Sequence, residues 1–320
     1  MSKPGNSLWE VVSATPESKR RAGGAKASGA DFGAAAAPLG PGLYLVATPI
    51  GNAADITLRA LEVLTRVDAI AAEDTRQTRK LMEMHGIALA GRRMVSYHDR
   101  NGAERRPRIL GWLRQGMSVA YCSDAGTPLV ADPGYRLAEA AVAEGLALTV
   151  IPGASAVLAA LSLAGLPTDR FLFAGFLPAK RGARKKALGE LASVPATLVF
   201  YESPRRLAAA LADMAEVLGD ARAAAVAREL TKKFEQVRRA PLAELAGQYA
   251  AEDAPRGEVV VLVGPPDAAT ARAGSVASLD SELMAALATL SIKDAAREVA
   301  TRLGLPRRDV YARALELVKP

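Results

Sequence analysis

Hydroxyls, carboxylates and small residues follow several short apolar runs of this sequence, where they could bind a ligand or move a proton. Residues 119–122 form one such run, which is typical of a buried parallel strand, and Ser123, Asp124 and Gly126 follow it directly. Ligands of open α/β sheets bind outside the carboxyl ends of the strands, and a glycine lets them approach the backbone closely. We therefore expect a ligand-binding loop at Asp124, although a plain strand-to-helix connection would show the same pattern.

Two further strand ends in the same half of the chain carry similar loops. Residues 42–47 lead into Thr48 and Pro49, and residues 147–151 lead into Pro-Gly-Ala-Ser at 152–155. Three such junctions in one domain predict one shared ligand cleft. The sequence contains neither G-x-G-x-x-G nor a Walker A motif, which disfavours a dinucleotide or P-loop site.

Two other strand ends carry groups that could act as a base. Glu73, Asp74 and Arg76 follow a short strand at 68–71, and His98 follows a strand that ends at Tyr97. Acidic residues also suit the first turn of a helix, where the helix dipole favours them, so both interpretations of the carboxylates stay open. A lone histidine is more often structural than substrate-binding, and His98 is a candidate for either role.

The sequence predicts a helix after the loop at Asp124. Asp132 and Pro133 predict its start, because aspartate caps helices and proline suits the first helical position. The helix should run to about Glu144, where Gly145 would end it.

Positive charge is concentrated in a few segments. The net charge is +7 and the pI is about 9.6, which favours a polyanionic partner without proving one. Residues 180–186 carry five positive charges in seven residues and should lie on the surface. Contact with phosphates and a solvated surface are both consistent with these segments. The candidate phosphate-contacting residues are Arg76, Arg100, Arg105, Arg106, Lys180, Arg181, Arg184, Lys185, Lys186, Arg307 and Arg308.

Length and composition favour two folded domains with flanking segments. With 320 residues, of which 50% are hydrophobic, the chain can bury two cores. We expect a disordered basic tail at 1–41, α/β domains at 42–167 and 168–266, a linker at 267–278, and a helical domain at 279–320. The helical domain resembles a helix-turn-helix, with a plain helical cap as the alternative.

Several classes of site are disfavoured. The single cysteine, Cys122, excludes an intramolecular disulfide and lies in an apolar run, which indicates a buried residue and not a nucleophile. Only two histidines are present, so a zinc site is improbable and we expect no metal. No stretch approaches the ~18 apolar residues of a membrane span. We expect a cytoplasmic protein without a membrane partner.

Eight motifs occur in order between Gly42 and Val263. They resemble those of the tetrapyrrole-methylase superfamily of S-adenosylmethionine-dependent methyltransferases, and within it the branch that methylates the ribose 2′-hydroxyl of a cytidine in 16S ribosomal RNA. The motifs are VATPIGNAADITLRA (46–60), AAEDTRQT (71–78), SDAGTPLVADPGY (123–135), IPGASA (151–156), GLPTDRFLFAGFLP (165–178), FYESPRRL (200–207), ARELTK (227–232) and GEVVVLV (257–263). The sequence PGAS departs from the Pro-Gly-Pro-Cys that is frequent in relatives.

This resemblance implies a fold, a donor and partners. The fold would be α/β, with two α/β domains of the tetrapyrrole-methylase (class III methyltransferase) type, the donor cleft between them, and a small C-terminal helical domain. The donor would be S-adenosylmethionine, the substrate 16S rRNA within the small ribosomal subunit, and the protein a homodimer. A methyltransferase of the same fold that acts on a tetrapyrrole or another small molecule is the alternative.

The resemblance also carries over residues by motif. Base candidates for the ribose hydroxyl are Glu73, Asp74, His98 and Glu229, with no choice among them. The implied donor contacts are Thr48, Pro49, Ser123, Asp124, Ala125, Gly126, Thr127, Pro152, Gly153, Ala154, Ser155, Ala156, Tyr201, Glu202, Ala227, Arg228, Gly257 and Glu258.

Overall fold

The computed structural model describes residues 39–267, 279–303 and 305–318. The tail expected at 1–41 therefore lies outside the described residues up to position 38. The linker expected at 267–278 lies outside them from position 268 onward.

The first half of the chain folds into a sheet of five parallel strands. They are β1 (Gly42–Val46), β2 (Ala69–Ala72), β3 (Arg93–Ser96), β4 (Ser118–Cys122) and β5 (Leu148–Ile151). Their spatial order is β3-β2-β4-β1-β5, so β4 lies between β2 and β1. The loops that follow β2, β4 and β1 consequently meet at one edge of the sheet, where a change in strand order opens a crevice.

A helix follows each of these strands. The helices are α1 (Leu58–Arg66), α2 (Thr75–Met84), α3 (Gly102–Arg114), α4 (Tyr135–Ala143) and α5 (Ala156–Ala164). Helix α4 begins three residues after Asp132, so the expectation that Asp132 caps this helix was wrong.

Both faces of the first sheet are buried at its central strands β2 and β4, as is usual for parallel sheets. In β4, Val119 and Tyr121 belong to the apolar cluster that contains residues of α3 and α4. Ala120 and Cys122 alternate with them and belong to the cluster that contains residues of α1 and α2. The predicted burial of Cys122 is confirmed, since its exposure is 0%.

The second half forms a mixed sheet. Its strands are β6 (Phe171–Phe176), β7 (Thr197–Glu202), β8 (Ala223–Arg228), β9 (Gln236–Pro241) and β10 (Val259–Val263), in the spatial order β6-β7-β10-β8-β9. Only β6 and β7 pair in parallel, and the other pairs are antiparallel. Helices α6 (Arg181–Leu191), α7 (Leu207–Leu218) and α8 (Leu242–Ala250) complete this half. The sequence patterns had indicated neither β9 nor α8.

Helix α5 joins the two halves. Val157, Ala160 and Leu161 on this helix share one apolar cluster with Val199 of β7 and Val260 of β10. Because α5 also follows directly from β5, its packing fixes the distance between the strand ends of the first sheet and the face of the second sheet.

Three helices follow in the C-terminal segment. They are α9, which covers 279–287, α10 (Ile292–Leu303) and α11 (Arg307–Val318). Within the described ranges, their apolar cluster consists of residues from 279 onward, among them Leu283, Val299 and Val310. Arg313 joins α11 to Asp280 of α9 through an ion pair of 2.6 Å. None of the helices in the described ranges is long and apolar enough to cross a membrane.

Candidate active site

A cavity of about 410 Å³ lies between the strand ends of the first sheet and the second sheet, and we call it the cleft cavity. The loops after β4 and β5 supply one side, and β6, β7 and β10 supply the other. Its volume is typical of small-molecule sites, which combine apolar walls with a few polar groups. It is lined by Ile50, Glu73, Asp124, Ala125, Gly126, Thr127, Val130, Ala131, Asp132, Ser155, Ala156, Phe176, Tyr201, Glu202, Ser203, Pro204, Leu230, Gly257, Glu258, Val259 and Val260.

Hydrogen bonds hold the loop after β4 against its two neighbours. Thr48 and Gly126 exchange backbone hydrogen bonds of 3.0 Å in both directions, and Thr127 Oγ1 donates to the Ala154 carbonyl at 3.0 Å. Gly126 has a φ of +79°, a left-handed conformation that residues with a Cβ adopt at a cost. The loops after β1, β4 and β5 therefore form one preorganised wall.

The donor contacts expected from the sequence divide into two groups. Those that line the cleft cavity are Asp124, Ala125, Gly126, Thr127, Ser155, Ala156, Tyr201, Glu202, Gly257 and Glu258. Those outside its lining are Thr48, Pro49, Ser123, Pro152, Gly153, Ala154, Ala227 and Arg228.

Three residues of the second group make contacts within the protein. The Thr48 hydroxyl donates to the Ser123 carbonyl at 3.2 Å inside the loop wall. Ala227 is buried in the apolar cluster beneath the cleft. Arg228 points to the far side of β8, where its guanidinium donates to the Arg256 carbonyl at 3.1 Å. Successive residues of a strand face opposite sides of the sheet, so Ala227 and Arg228 lie on opposite faces of β8.

Two carboxylates meet at the edge of the cleft cavity. The Asp124 backbone N–H donates to Glu73 Oε2 at 3.1 Å, and Asp124 Oδ1 accepts from the Asp74 backbone N–H at 2.8 Å. Burial raises the pKa of Glu73 above its ordinary value, and the nearby charges of Asp124 and Asp132 raise it further. Burial likewise raises the pKa of Asp124. Glu73 can therefore take up a proton more readily than an exposed glutamate.

The other base candidates have different environments. Asp74 caps α2 and accepts several hydrogen bonds from Arg76, which lower its pKa to about 2. Glu229 accepts from Lys232 Nζ at 2.8 Å and from the Glu258 backbone N–H at 3.0 Å, and the hydrogen bond from Lys232 lowers its pKa. Both carboxylates are consequently weaker bases than Glu73.

Asp132 is a site residue that the sequence analysis interpreted only as a helix cap. Its Oδ1 accepts from the Tyr121 hydroxyl at 2.7 Å and from the Gly134 backbone N–H at 2.6 Å. Burial raises the pKa of Asp132, and burial together with this carboxylate raises the pKa of the Tyr121 phenol. Asp132 lines the cleft cavity, since the turn after β4 runs on to Gly134 before α4 begins. The signal that could have found it is its place in the motif SDAGTPLVADPGY.

The apolar walls of the cavity also escaped the sequence analysis. They include Ile50, Val130, Phe176, Leu230 and Val260, which come from separate segments of the chain. No local sequence pattern distinguishes an apolar residue that faces a cavity from one that faces the core.

Across the cleft, β7 ends in a buried ion pair. The Glu202 side chain is fully buried and pairs with Arg206 at 2.9 Å, and Glu202 Oε1 also accepts from the Ser203 backbone N–H at 2.7 Å. Next to it, the Tyr201 ring packs edge-on against Phe176, with ring centroids 5.5 Å apart. Glu202 therefore forms part of the cavity wall, and its negative charge is balanced by Arg206.

The basic run at 180–186 was expected to lie entirely on the surface, and the structure differs from this expectation at one residue. Arg184 is only 5% exposed and pairs with the buried Asp213 at 2.5 Å, so the prediction that the whole run lies on the surface was wrong. Arg181 reaches the same aspartate at 3.0 Å, and Lys185 pairs with Glu216. Periodicity explains this, because the run lies in or directly before α6, and one side of that helix faces α7.

Among the remaining basic candidates, Arg105 and Arg106 are half-buried and the others are exposed. Arg76 is exposed although it is tied to Asp74. Arg105 lies 3.6 Å from Glu104, and the Arg106 guanidinium donates to the Tyr97 hydroxyl at 3.1 Å. Exposed side chains are found at Arg100, Lys180, Lys186, Arg307 and Arg308. Within the described ranges, no group of His, Cys, Asp and Glu side chains is arranged to hold a metal ion.

Comparisons with known proteins agree with this architecture. Residues 42–246 match the family described as Tetrapyrrole (Corrin/Porphyrin) Methylases, and residues 273–318 match the RsmI C-terminal HTH domain. A protein of Mesorhizobium japonicum named ribosomal RNA small subunit methyltransferase I is 53% identical, over 88% of this chain and 94% of its own length. The protein of that name from Escherichia coli O157:H7 is 44% identical, over 86% of this chain and 94% of its own length.

Solved structures show the same fold at low sequence identity. Cobalt precorrin-4 methyltransferase, a cobalamin biosynthetic enzyme, superimposes with a TM-score of 0.53 and 17% identity over 69% of this chain and 94% of its own. Diphthine synthase superimposes with a TM-score of 0.54 and 18% identity over 69% of this chain and 89% of its own.

Proposed function

Because the chain belongs to the tetrapyrrole (corrin/porphyrin) methylase family, we propose that it transfers a methyl group from S-adenosylmethionine to small-subunit ribosomal RNA. The acceptor is the ribose 2′-hydroxyl of a cytidine, as the sequence resemblance implies. The observation that carries this proposal is the Glu73–Asp124 pair at the edge of a cavity that opens between the two sheets. The match of residues 273–318 to a C-terminal domain named for the rRNA enzyme favours this substrate over a tetrapyrrole.

The residues of the cleft cavity fit S-adenosylmethionine. Ile50, Val130 and Leu230 offer apolar walls for the flat adenine and the aliphatic chain, and the backbone at Gly126 lets a ligand approach closely. Glu73 and Asp124 offer negative charge for a sulfonium at the cavity edge. When bound, the donor supplies an electrophilic methyl group.

Glu73 is the base that we propose for the ribose hydroxyl. Alignment and removal of the hydroxyl proton are what the protein must supply, since a hydroxyl is a poor nucleophile until it loses that proton. The hydrogen bond from the Asp124 backbone N–H holds the Glu73 carboxylate at the cavity edge. The elevated pKa of Glu73 makes it a better proton acceptor than Asp74 or Glu229.

RNA would be held by basic surface outside the cleft. The proposal uses only side chains that are exposed: Arg76, Arg100, Lys180, Lys186, Arg307 and Arg308. Such contacts bind phosphates without reading sequence. They suit a large folded RNA in the cytoplasm, where small ribosomal subunits are made.

We further propose that the protein acts as a homodimer. Exposed apolar side chains cluster on α4 and on the edge strand β5, including Tyr135, Val142, Leu148 and Val150. A second copy of the chain would cover this apolar surface and the open strand edge, both of which are liabilities in water.

Methyl uptake tests the proposed function. The chain is incubated with radiolabelled S-adenosylmethionine and small ribosomal subunits that lack the modification, and ribose methylation is mapped along the RNA. We expect label in one cytidine ribose, and donor binding by calorimetry without RNA. If the chain binds the donor but transfers no methyl group to RNA, the alternative of a small-molecule methyltransferase would be favoured.

A further inference from the structure

A second cavity, of about 460 Å³, adjoins the cleft cavity at the carboxyl ends of β2, β3 and β4, and we call it the polar cavity. All of its lining residues except Pro133 are polar or charged. They are Glu73, Asp74, Thr75, Arg76, Ser96, His98, Asp99, Arg100, Asp124 and Pro133. Glu73 and Asp124 line both cavities, so a molecule in the polar cavity would meet the donor at this pair.

Hydrogen bonds fix the back wall of the polar cavity. The Asn101 side-chain amide donates to Ser96 Oγ at 3.0 Å, and its oxygen accepts from the His98 backbone N–H at 2.9 Å. On the other side, Asp74 is held by Arg76 and donates its backbone N–H to Asp124. The cavity is therefore preformed, which lowers the cost of binding.

Three consecutive side chains at the mouth of the polar cavity have no hydrogen-bond or ion-pair partner within the described part of the chain. They belong to His98, Asp99 and Arg100, and the last two are exposed. Polar side chains at other strand ends of this sheet cap helices or tie loops, as Asn52, Asp74 and Ser155 do. The turn after β3 thus offers an imidazole, a carboxylate and a guanidinium to a ligand.

This set of groups matches one nucleotide. A guanidinium pairs with a phosphate, and a carboxylate accepts from the exocyclic amine of cytosine. A nucleotide inside a folded RNA cannot reach such a recess unless it leaves its stack, and enzymes that modify nucleotides use extrusion for this purpose.

We propose that the polar cavity holds the target nucleotide of the RNA, turned out of its stack, with its phosphate at Arg100, its base edge at Asp99 and its 2′-hydroxyl at Glu73. This inference rests on the proposed function, because it names the subsite of the RNA substrate. Asp99 would favour cytosine, since uracil presents an oxygen where cytosine presents the amine. His98 would lie against the base beside Asp99.

The test uses the full chain with Asp99→Asn and Arg100→Gln. The matched controls are Asp169→Asn and Arg170→Gln, an exposed Asp-Arg pair before β6 that lines neither cavity. The probe is small-subunit RNA that carries a fluorescent cytosine analogue at the methylated position found by mapping. Fluorescence on binding reports extrusion in the presence of S-adenosylhomocysteine, methylation is measured on unlabelled RNA, and calorimetry reports donor affinity.

We expect the wild-type chain and both controls to raise the fluorescence on binding. Each cavity variant should lose most of that rise and at least about tenfold in methylation, as for the loss of one good base or phosphate contact. Asp99→Asn should also reduce the preference for cytidine over uridine at the target position. Donor affinity should be unchanged in all four variants, which also shows that they are folded.

Two results would overturn the inference. One is methylation by the wild-type chain without a fluorescence rise, and the other is cavity variants that match their controls in both readouts. Failure of the proposed function looks different, because the wild-type chain would then not methylate the RNA at all.

Discussion

The backbone N–H of Asp124 donates a hydrogen bond of 3.1 Å to the side chain of Glu73, and this pair separates the cleft cavity from the polar cavity. The two residues follow adjacent parallel strands, β2 and β4, so their positions relative to each other are fixed by the sheet. A donor and an acceptor that bind in the two cavities would meet at a carboxylate whose pKa is raised.

Replacement of that carboxylate should abolish most of the activity. Glu73→Gln should lower kcat by about 10²- to 10⁴-fold, the usual loss when a general base is removed, with donor affinity retained. In the wild-type enzyme kcat/KM should fall as the pH falls, because protonated Glu73 cannot accept a proton. Burial raises the pKa of Glu73, so the fall should begin at a higher pH than an exposed glutamate would give. Glu83→Gln, an exposed position on α2, is the control, and full activity of Glu73→Gln would eliminate Glu73 as the base.

Packing at Gly134 should be intolerant of a single added methyl group. A Cβ at this position would overlap the fully buried ring of Tyr121, which hydrogen-bonds to Asp132. Gly134→Ala should therefore lower the free energy of unfolding by about 1–3 kcal/mol, as overpacking does. Gly111→Ala in α3 meets no atom within 4 Å and should raise it by about 0.5–1 kcal/mol. Chemical denaturation measures both, and equal stabilities would contradict the packing described for Tyr121.

Charge removal within the run at 180–186 should separate structural from RNA-binding side chains. Arg184→Met leaves the buried Asp213 without its main partner and should cost about 3–5 kcal/mol of unfolding free energy. Lys186→Met, on the exposed side of α6, should change stability by less than about 0.5 kcal/mol. If Lys186 contacts a phosphate, its loss should also flatten the salt dependence of RNA binding by ~0.7–0.9 log units of slope. An unchanged slope would place Lys186 outside the RNA interface.

Removal of the C-terminal helices should uncouple RNA methylation from donor binding. Among the described residues, the cluster that holds α9, α10 and α11 together contains none before 279, so a chain that ends at residue 267 should still fold. Calorimetry should find donor affinity within about twofold of the full chain, because independent domains bind independently. Methylation of small subunits should fall steeply through loss of the basic surface at Arg307 and Arg308. If the shortened chain were as active as the full chain, the C-terminal helices would be a structural cap with no role in RNA binding.

A charge in the apolar surface on α4 and β5 should dissociate the proposed homodimer. Val150 is 56% exposed on the edge strand β5, and Val150→Lys would place a charge that two facing copies must desolvate. Sedimentation should show a dimer for the wild-type chain and a monomer for this variant. Val318→Lys, a position 50% exposed on α11, is the matched control and should stay dimeric. A dimer that survives Val150→Lys would need a different interface.

Local sequence patterns were sufficient for most of the strands and for the loops that line the cleft cavity. The apolar run before Ser123 predicted a buried strand and a buried Cys122, and both are observed. The loop motifs at Thr48, Asp124 and Ser155 indicated a shared cleft, because parallel strands bring their carboxyl ends to one edge. Strands and turns of this kind depend mainly on residues that are close in the sequence, so each can be predicted from its own segment.

Which of these groups can do chemistry depended on contacts between distant segments. Glu73 and Asp74 are adjacent in sequence, yet burial raises the pKa of Glu73 while Arg76 lowers that of Asp74. Arg184 matches its basic neighbours by type, but Asp213 on α7 draws it into the interior. The sequence around Asp132 predicted a helix cap, but in the structure the turn after β4 places its carboxylate against the Tyr121 hydroxyl. A pKa and a cavity wall are set by what surrounds a side chain in three dimensions, and the sequence specifies those surroundings only through the fold.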